Sequence, residues 1–256
     1  MLHFISGLPR SGSTMLAAIL RQNPRFDAGM TSPVARVFKG IEDATSGQNE
    51  TSVFLTDDHR DAMLRAIFGV YWGSDRLVIF DTSRFWCARL PVLARLFPDS
   101  KIIVCVREMG WIADSFERLY RRNGQRPSAI YGWDTDGTVW SRTSALMAPT
   151  GVAGYAINAV REAVAAEEAP RLLLIDYEEL CKSPRDQLGR LYDHIDEPWF
   201  DHDFSNVEYT AGEFDRQLGA EGLHTVSGAV EWRPRQTILP PSLFEQYNGP
   251  NFWRQA

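Results

Sequence analysis

Short, continuous apolar runs alternate along this chain with longer stretches of helical spacing. Residues 2–6 form a short β-type run, 77–80 (LVIF) and 102–106 (IIVCV) are continuous and rich in β-branched side chains, and 172–175 is a fourth run. Runs without polar alternation suit strands buried on both faces of a parallel sheet. Between them, apolar positions three and four apart predict helices over about 12–22 (stopped by Asn23-Pro24), 33–43, 85–97, 111–122 and 152–167. Thr56 reads as the N-cap of another helix, with Asp57 and Asp58 in its first turn and an end near Tyr71. Two more are expected at 184–194, opened by Ser183-Pro184, and at 241–246. Residues 44–52, 123–150 and 202–235 read as loops, the second long, aromatic and of the kind that serves as a lid. Repeated strand–helix units predict a single α/β domain over 1–256, with a central parallel β-sheet between two helical layers.

Composition narrows the class. Of 256 residues, 44% are apolar and 23% charged, which excludes global disorder. No apolar run approaches the roughly 18 residues of a membrane span, and residues 1–20 lack a basic leader and a cleavage site. The net charge of −6 argues against nucleic-acid or anionic-membrane partners. Within the basic set only Lys39, Lys101 and Lys182 are lysines and the remaining 24 residues are arginine, the side chain better shaped for planar or tetrahedral anions. Cys87, Cys105 and Cys181 are far apart, mostly in apolar contexts, and odd in number. They predict reduced core thiols in a cytoplasmic protein, with neither a metal site nor a disulfide framework.

The strongest chemical signal is Gly7-Leu8-Pro9-Arg10-Ser11-Gly12-Ser13-Thr14, between the first strand and the first helix. Glycines there allow a tight turn, and the amides at a helix N-terminus point at an anion. The spacing from Gly7 to Gly12 is that of a nucleotide-binding P-loop, but Ser13 stands where that motif carries lysine, and the nearest cation is Arg10. The fold expected is therefore P-loop-like.

LPRSGST resembles the 5′-phosphosulfate loop of sulfotransferases, above all the tyrosylprotein type and its bacterial relatives. In that family a strand ending in Arg is followed eight residues later by Ser; here these are Arg107 and Ser115, preceded by the lead-in Pro98-Asp99-Ser100-Lys101. Residues 173–183 (LLIDYEELCKS) resemble the family's Y-E-x-L segment, which makes Tyr177 the adenine contact. Residues 224–228 and 233–241 resemble a C-terminal loop that closes over the nucleotide. The resemblance implies 3′-phosphoadenosine 5′-phosphosulfate (PAPS) as co-substrate, adenosine 3′,5′-bisphosphate (PAP) as product, and no metal. It implies donor contacts from Pro9, Arg10, Ser11, Gly12, Ser13, Thr14, Arg107, Ser115 and Tyr177, with Arg10 also catalytic. The implied acceptor is a hydroxyl or phenol, a peptide tyrosine first, a glycan or small molecule next.

The sequence departs from the family where the acceptor base belongs. The matching stretch, Gly29-Met30-Thr31-Ser32-Pro33, has no carboxylate, and the family lysine falls at Thr82. Asp81, at a strand end, is the expected base, and Arg84 stands ready to replace the missing cation. Of the five histidines only His224 falls near the expected donor site. Arg118, Arg121, Arg122 and Arg126 read as a solvated helix face or as an attractor of an acidic acceptor, and Trp133 and Trp140 as acceptor stackers or core covers. Two other readings stay open: a small-molecule kinase in which LVIFD presents Asp81 to magnesium and Mg-ATP is the donor, and a non-catalytic nucleotide-binding module.

Overall fold

The computed structural model describes residues 1–73, 77–133, 137–249 and 251–254. Five strands, β1 (Leu2–Gly7), β2 (Phe26–Ala28), β3 (Val78–Thr82), β4 (Ile102–Val106) and β5 (Leu172–Asp176), form one sheet in the order β2-β3-β1-β4-β5. Every pairing is parallel. Register places Gly7 beside Cys105, Ile5 beside Thr82, and Val106 beside Asp176. The carboxyl ends of β1, β3, β4 and β5 therefore share one edge, where ligands of open α/β sheets bind.

The helices are α1 (Ser13–Leu20), α2 (Val34–Ala44), α3 (Asp57–Trp72), α4 (Leu90–Leu96), α5 (Met109–Arg122), α6 (Val139–Met147), α7 (Val152–Ala165), α8 (Tyr177–Lys182), α9 (Pro184–Ile195), α10 (Gly212–Gln217) and α11 (Pro241–Tyr247). Alternation along the buried strands splits the core in two. Phe4, Ile102 and Val104 pack against α2 to α5 and α7, whereas Ile5, Phe80, Ile103 and Cys105 pack against α1, α8 and α9. The result is the expected three-layer arrangement.

Most expected elements form within a residue or three. Thr56 caps α3 as anticipated, and His59 closes the reciprocal bond that glutamate usually makes in a capping box. The expected 85–97 helix instead begins as a 3-10 turn (Cys87–Arg89) before α4, because Pro91 cannot donate a helical hydrogen bond. Four elements differ from expectation. β2 is only three residues long at the sheet edge, too short for a pattern. The 123–150 stretch holds α6, capped by Thr138, although VWSRTSALM mixes β-branched and aromatic residues with polar ones. α8 follows β5 directly, with Asp176 accepting from the Glu178 amide as its cap. Within 202–235 lies α10, a helix of six residues. Among the described residues no helix is long and apolar enough to cross a membrane.

Candidate active site

The loop after β1 is held by backbone geometry that few residues tolerate. Gly7 (φ +108°) lies flat on β4, so a Cβ there would stand 2.2 Å from the Cys105 carbonyl oxygen. Gly12 (φ +90°) abuts Tyr177, whose ring would be 2.8 Å from an added Cβ. The Leu8 amide donates to the Cys105 carbonyl at 2.8 Å, and Arg10 itself is left-handed (φ +58°). Ser11 departs from the donor-contact expectation: its side chain is buried with Oγ 2.5 Å from the Leu8 carbonyl and 3.0 Å from the Cys105 carbonyl. That hydroxyl is spent on holding the loop shut. Pro9, Arg10, Gly12, Ser13 and Thr14 line a cavity of about 1650 Å³ that opens along the strand ends.

Arg10 and Arg107 stand together in this cavity. Arg107 Nη1 donates to the Arg10 carbonyl at 3.0 Å, and Arg10 Nε donates to Ser115 Oγ at 3.0 Å. Arg10 also reaches the Leu223 carbonyl. Neither guanidinium has a carboxylate partner among the described residues, and Arg107 Nε is buried without any hydrogen bond. Burial, and then the neighbouring charge of Arg107, pull the Arg10 guanidinium down to about 10, still a cation at neutral pH. Two like charges crowded without a counter-ion, at the mouth of an amide-lined loop, fit an incoming anion. Arg107 also lies 4.1 Å from the centroid of the Tyr177 ring, and Tyr177 meets Trp232 edge-on at 6.3 Å. An aromatic pair beside an arginine cluster is a ready seat for a base attached to phosphate groups.

A C-terminal strap closes this half of the cavity. Buried Asp114 accepts from Arg118 Nε (2.8 Å), Thr237 Oγ1 (3.0 Å) and the Ile238 amide (2.8 Å), and pairs with Arg235 at 2.9 Å. Arg235 lines the cavity next to Trp111. Of the four arginines read as a solvated face or an acidic-acceptor surface, Arg118 is thus occupied by Asp114, and Arg121 by Glu117 at 2.9 Å. Trp133 and Trp140 are half exposed and line no part of the cavity.

Asp81 does not have the surroundings of a base. It is wholly buried, and both of its oxygens are taken: Oδ1 by Trp86 Nε1 (2.9 Å), Oδ2 by Ser32 Oγ (2.7 Å) and Trp72 Nε1 (2.6 Å). Burial raises its carboxyl while those donors oppose the shift. It ties the 29–33 loop and the end of α3 to the sheet, and it lines no part of the cavity. With both oxygens engaged and Asp81 off the cavity lining, it is not placed to present a metal to a nucleotide there, which removes the main support for the kinase reading.

Instead, the structure brings His224 to the cavity wall. Asp215 on α10 accepts from His224 Nδ1 at 2.6 Å and from the His224 amide at 2.8 Å. A carboxylate only accepts, so Nδ1 carries the proton and the lone pair of Nε2 is free. Burial lowers the affinity of the ring for a second proton, Asp215 opposes that, and Arg10 and Arg84 add to it. His224 is therefore a neutral imidazole near pH 7, aligned by a buried carboxylate. No spacing rule links Asp215 to His224; the one sequence signal was the placement of His224 in a segment expected near the donor.

Fold and site together describe a P-loop-like α/β domain whose loop carries Arg10 and has Ser13 where the nucleotide-binding motif has lysine. The profile of the sulfotransferase family matches residues 3–201, and the chain belongs to that family. Over 113 residues it is 28% identical to protein-tyrosine sulfotransferase 1 of Mus musculus and of Rattus norvegicus, a stretch covering 41% of this chain but only 30% of theirs. Among solved structures, the sulfotransferase domain from the curacin biosynthetic pathway has a TM-score of 0.54 at 20% identity, covering 96% of this chain and 89% of that one. A sulfotransferase from Alicyclobacillus acidocaldarius has a TM-score of 0.50 at 16% identity, with coverage of 84% and 88%. At such identities the likeness is one of fold.

Proposed function

We propose that this protein transfers a sulfuryl group from PAPS to a hydroxyl or phenol, and that its 256 residues act as one domain. The carrying observation is the pair Arg10–Arg107, two cations without a carboxylate partner among the described residues, beside the glycine-pinned loop. PAPS supplies the sulfuryl group when bound. The amides at the start of α1 and the Arg10 guanidinium serve the 5′ end, where charge develops in an in-line displacement. Arg107 and Ser115 serve the 3′-phosphate, and Tyr177 with Trp232 holds the adenine. His224 Nε2 takes the proton of the acceptor hydroxyl, and Asp215 stabilises the imidazolium that results.

The leading acceptor is a tyrosine in a peptide, supported by the partial match to the two protein-tyrosine sulfotransferases; glycans and small metabolites follow. A reducing compartment such as the cytoplasm is supported by three cysteines that are all free and buried. Calorimetric titration with PAP, against ATP plus Mg²⁺, tests the donor. Micromolar PAP binding with ATP much weaker is expected, and a preference for Mg-ATP would overturn the assignment. Tight PAP binding with no sulfate transfer to tyrosine peptides, sugars or phenols would instead support a non-catalytic nucleotide-binding module.

A further inference from the structure

The half of the cavity away from the nucleotide seat carries cations that the protein itself leaves unmatched. Arg84, in the turn after β3, lines this wall, and among the described residues its guanidinium makes no hydrogen bond or ion pair. Arg84 is an exposed residue that opens onto the lumen. Arg36 on α2 lines the same wall and, among the described residues, also lacks a carboxylate partner. Nearby Arg89 is the contrast, a structural arginine matched to its own carboxylate: both oxygens of Glu42 lie 3.0 Å from its Nε. The acidic side chain on the described cavity lining, Glu231, belongs to Arg233.

Position adds to charge. His224 is acted on electrostatically by Arg10 from the donor side and by Arg84 from the other wall. His224, Arg10 and Arg84 all line this one cavity. An exposed guanidinium on a cavity wall, without a carboxylate of its own among the described residues, is free to meet an anionic ligand.

We propose that Arg84 is the anion-recognising residue of the acceptor subsite, so that the hydroxyl to be sulfated is carried by a molecule bearing a carboxylate or phosphate group. This rests on the sulfuryl-transfer reading, and it makes Arg84 a specificity residue, with Arg36 adding positive charge on the same wall. A charge-assisted hydrogen bond of this kind favours the anionic acceptor over a neutral one of the same shape by about tenfold to a hundredfold.

The test uses the full chain saturated with PAP and three probes: 3-(4-hydroxyphenyl)propionate, its primary amide, and 4-hydroxybenzylphosphonate. Calorimetry on the wild type should show the carboxylate or the phosphonate binding at least tenfold more tightly than the amide, and the tighter of the two anions names the source. Arg84→Gln should abolish the preference and leave PAP affinity unchanged, while Arg84→Lys should restore part of it; thermal unfolding of both variants checks that they fold. Equal binding of anions and amide to the wild type, including none by any probe, would overturn the proposal. So would a loss of PAP affinity in Arg84→Gln, or an equal fall in kcat for charged and neutral phenols, since either would assign Arg84 to the donor. Failure of PAP to bind the wild type would sink the donor reading separately, and the anion preference would then be read on the free protein.

Discussion

Asp215 grips His224 twice, once at the ring nitrogen Nδ1 (2.6 Å) and once at the backbone amide (2.8 Å). One buried carboxylate thereby fixes both the position of the residue and the tautomer of its ring. His224→Asn should lower kcat by about 10²- to 10⁴-fold while PAP binding is unchanged. A variant with full kcat would show that another group takes the acceptor proton.

The pH dependence carries the same information. His224 must be neutral to accept a proton, and burial lowers its proton affinity, so activity should fall on the acid side below the ordinary histidine range near 6.5. Asp215 favours the charged ring; Asp215→Asn should therefore move the acid limb to lower pH and reduce kcat together. An acid limb that stays in place in this variant would detach the dyad from the chemistry.

The proposed function divides the donor between Arg10 and Arg107. Arg10→Ala should lower transfer by about 10²- to 10³-fold or more, as expected for loss of a group facing developing charge. Arg107→Ala should weaken PAP far more than adenosine 5′-phosphate, because only PAP carries the 3′-phosphate. Equal weakening of both ligands, measured by calorimetry, would reassign Arg107.

Asp81→Asn tests the role of the saturated carboxylate. An amide cannot accept at both ends, so one of the donors Ser32, Trp72 or Trp86 is left unmatched in the core, at a cost of about 1–3 kcal/mol. The melting temperature should drop, with the acid limb of activity unmoved. Full stability with a displaced limb would make Asp81 a candidate base again.

Two histidines outside the site limit acid stability. His3 and His202 are buried and held neutral, each pushed down to about 4, chiefly by burial. The unfolded chain gains protons on these rings below about 6.5 while the folded protein resists until about 4. Their contribution is thus complete above pH 6.5 and is lost as pH falls toward 4. At pH 5 the loss is about 2 kcal/mol per ring, and urea unfolding at pH 7.5 and pH 5 should resolve it. Unfolding midpoints that coincide would mean that the rings are solvated.

Local sequence was enough to specify β1, the glycine-pinned loop, α1 and β4, because turn stereochemistry and apolar periodicity are written in contiguous residues. Gly7 and Gly12 could be read as loop glycines without knowing that Cys105 and Tyr177 press on them. Which polar groups are free to act was settled only by the folding of the chain. Asp81 is removed from chemistry by Trp72 and Trp86, brought to it from α3 and from the turn leading into α4. Ser11 turns inward because β4 offers it a carbonyl, and the His224 ring is aligned at the cavity wall because the chain returns it to Asp215. Whether a side chain meets solvent, a donor or a counter-ion depends on segments far apart in sequence, and local patterns hold no record of that meeting.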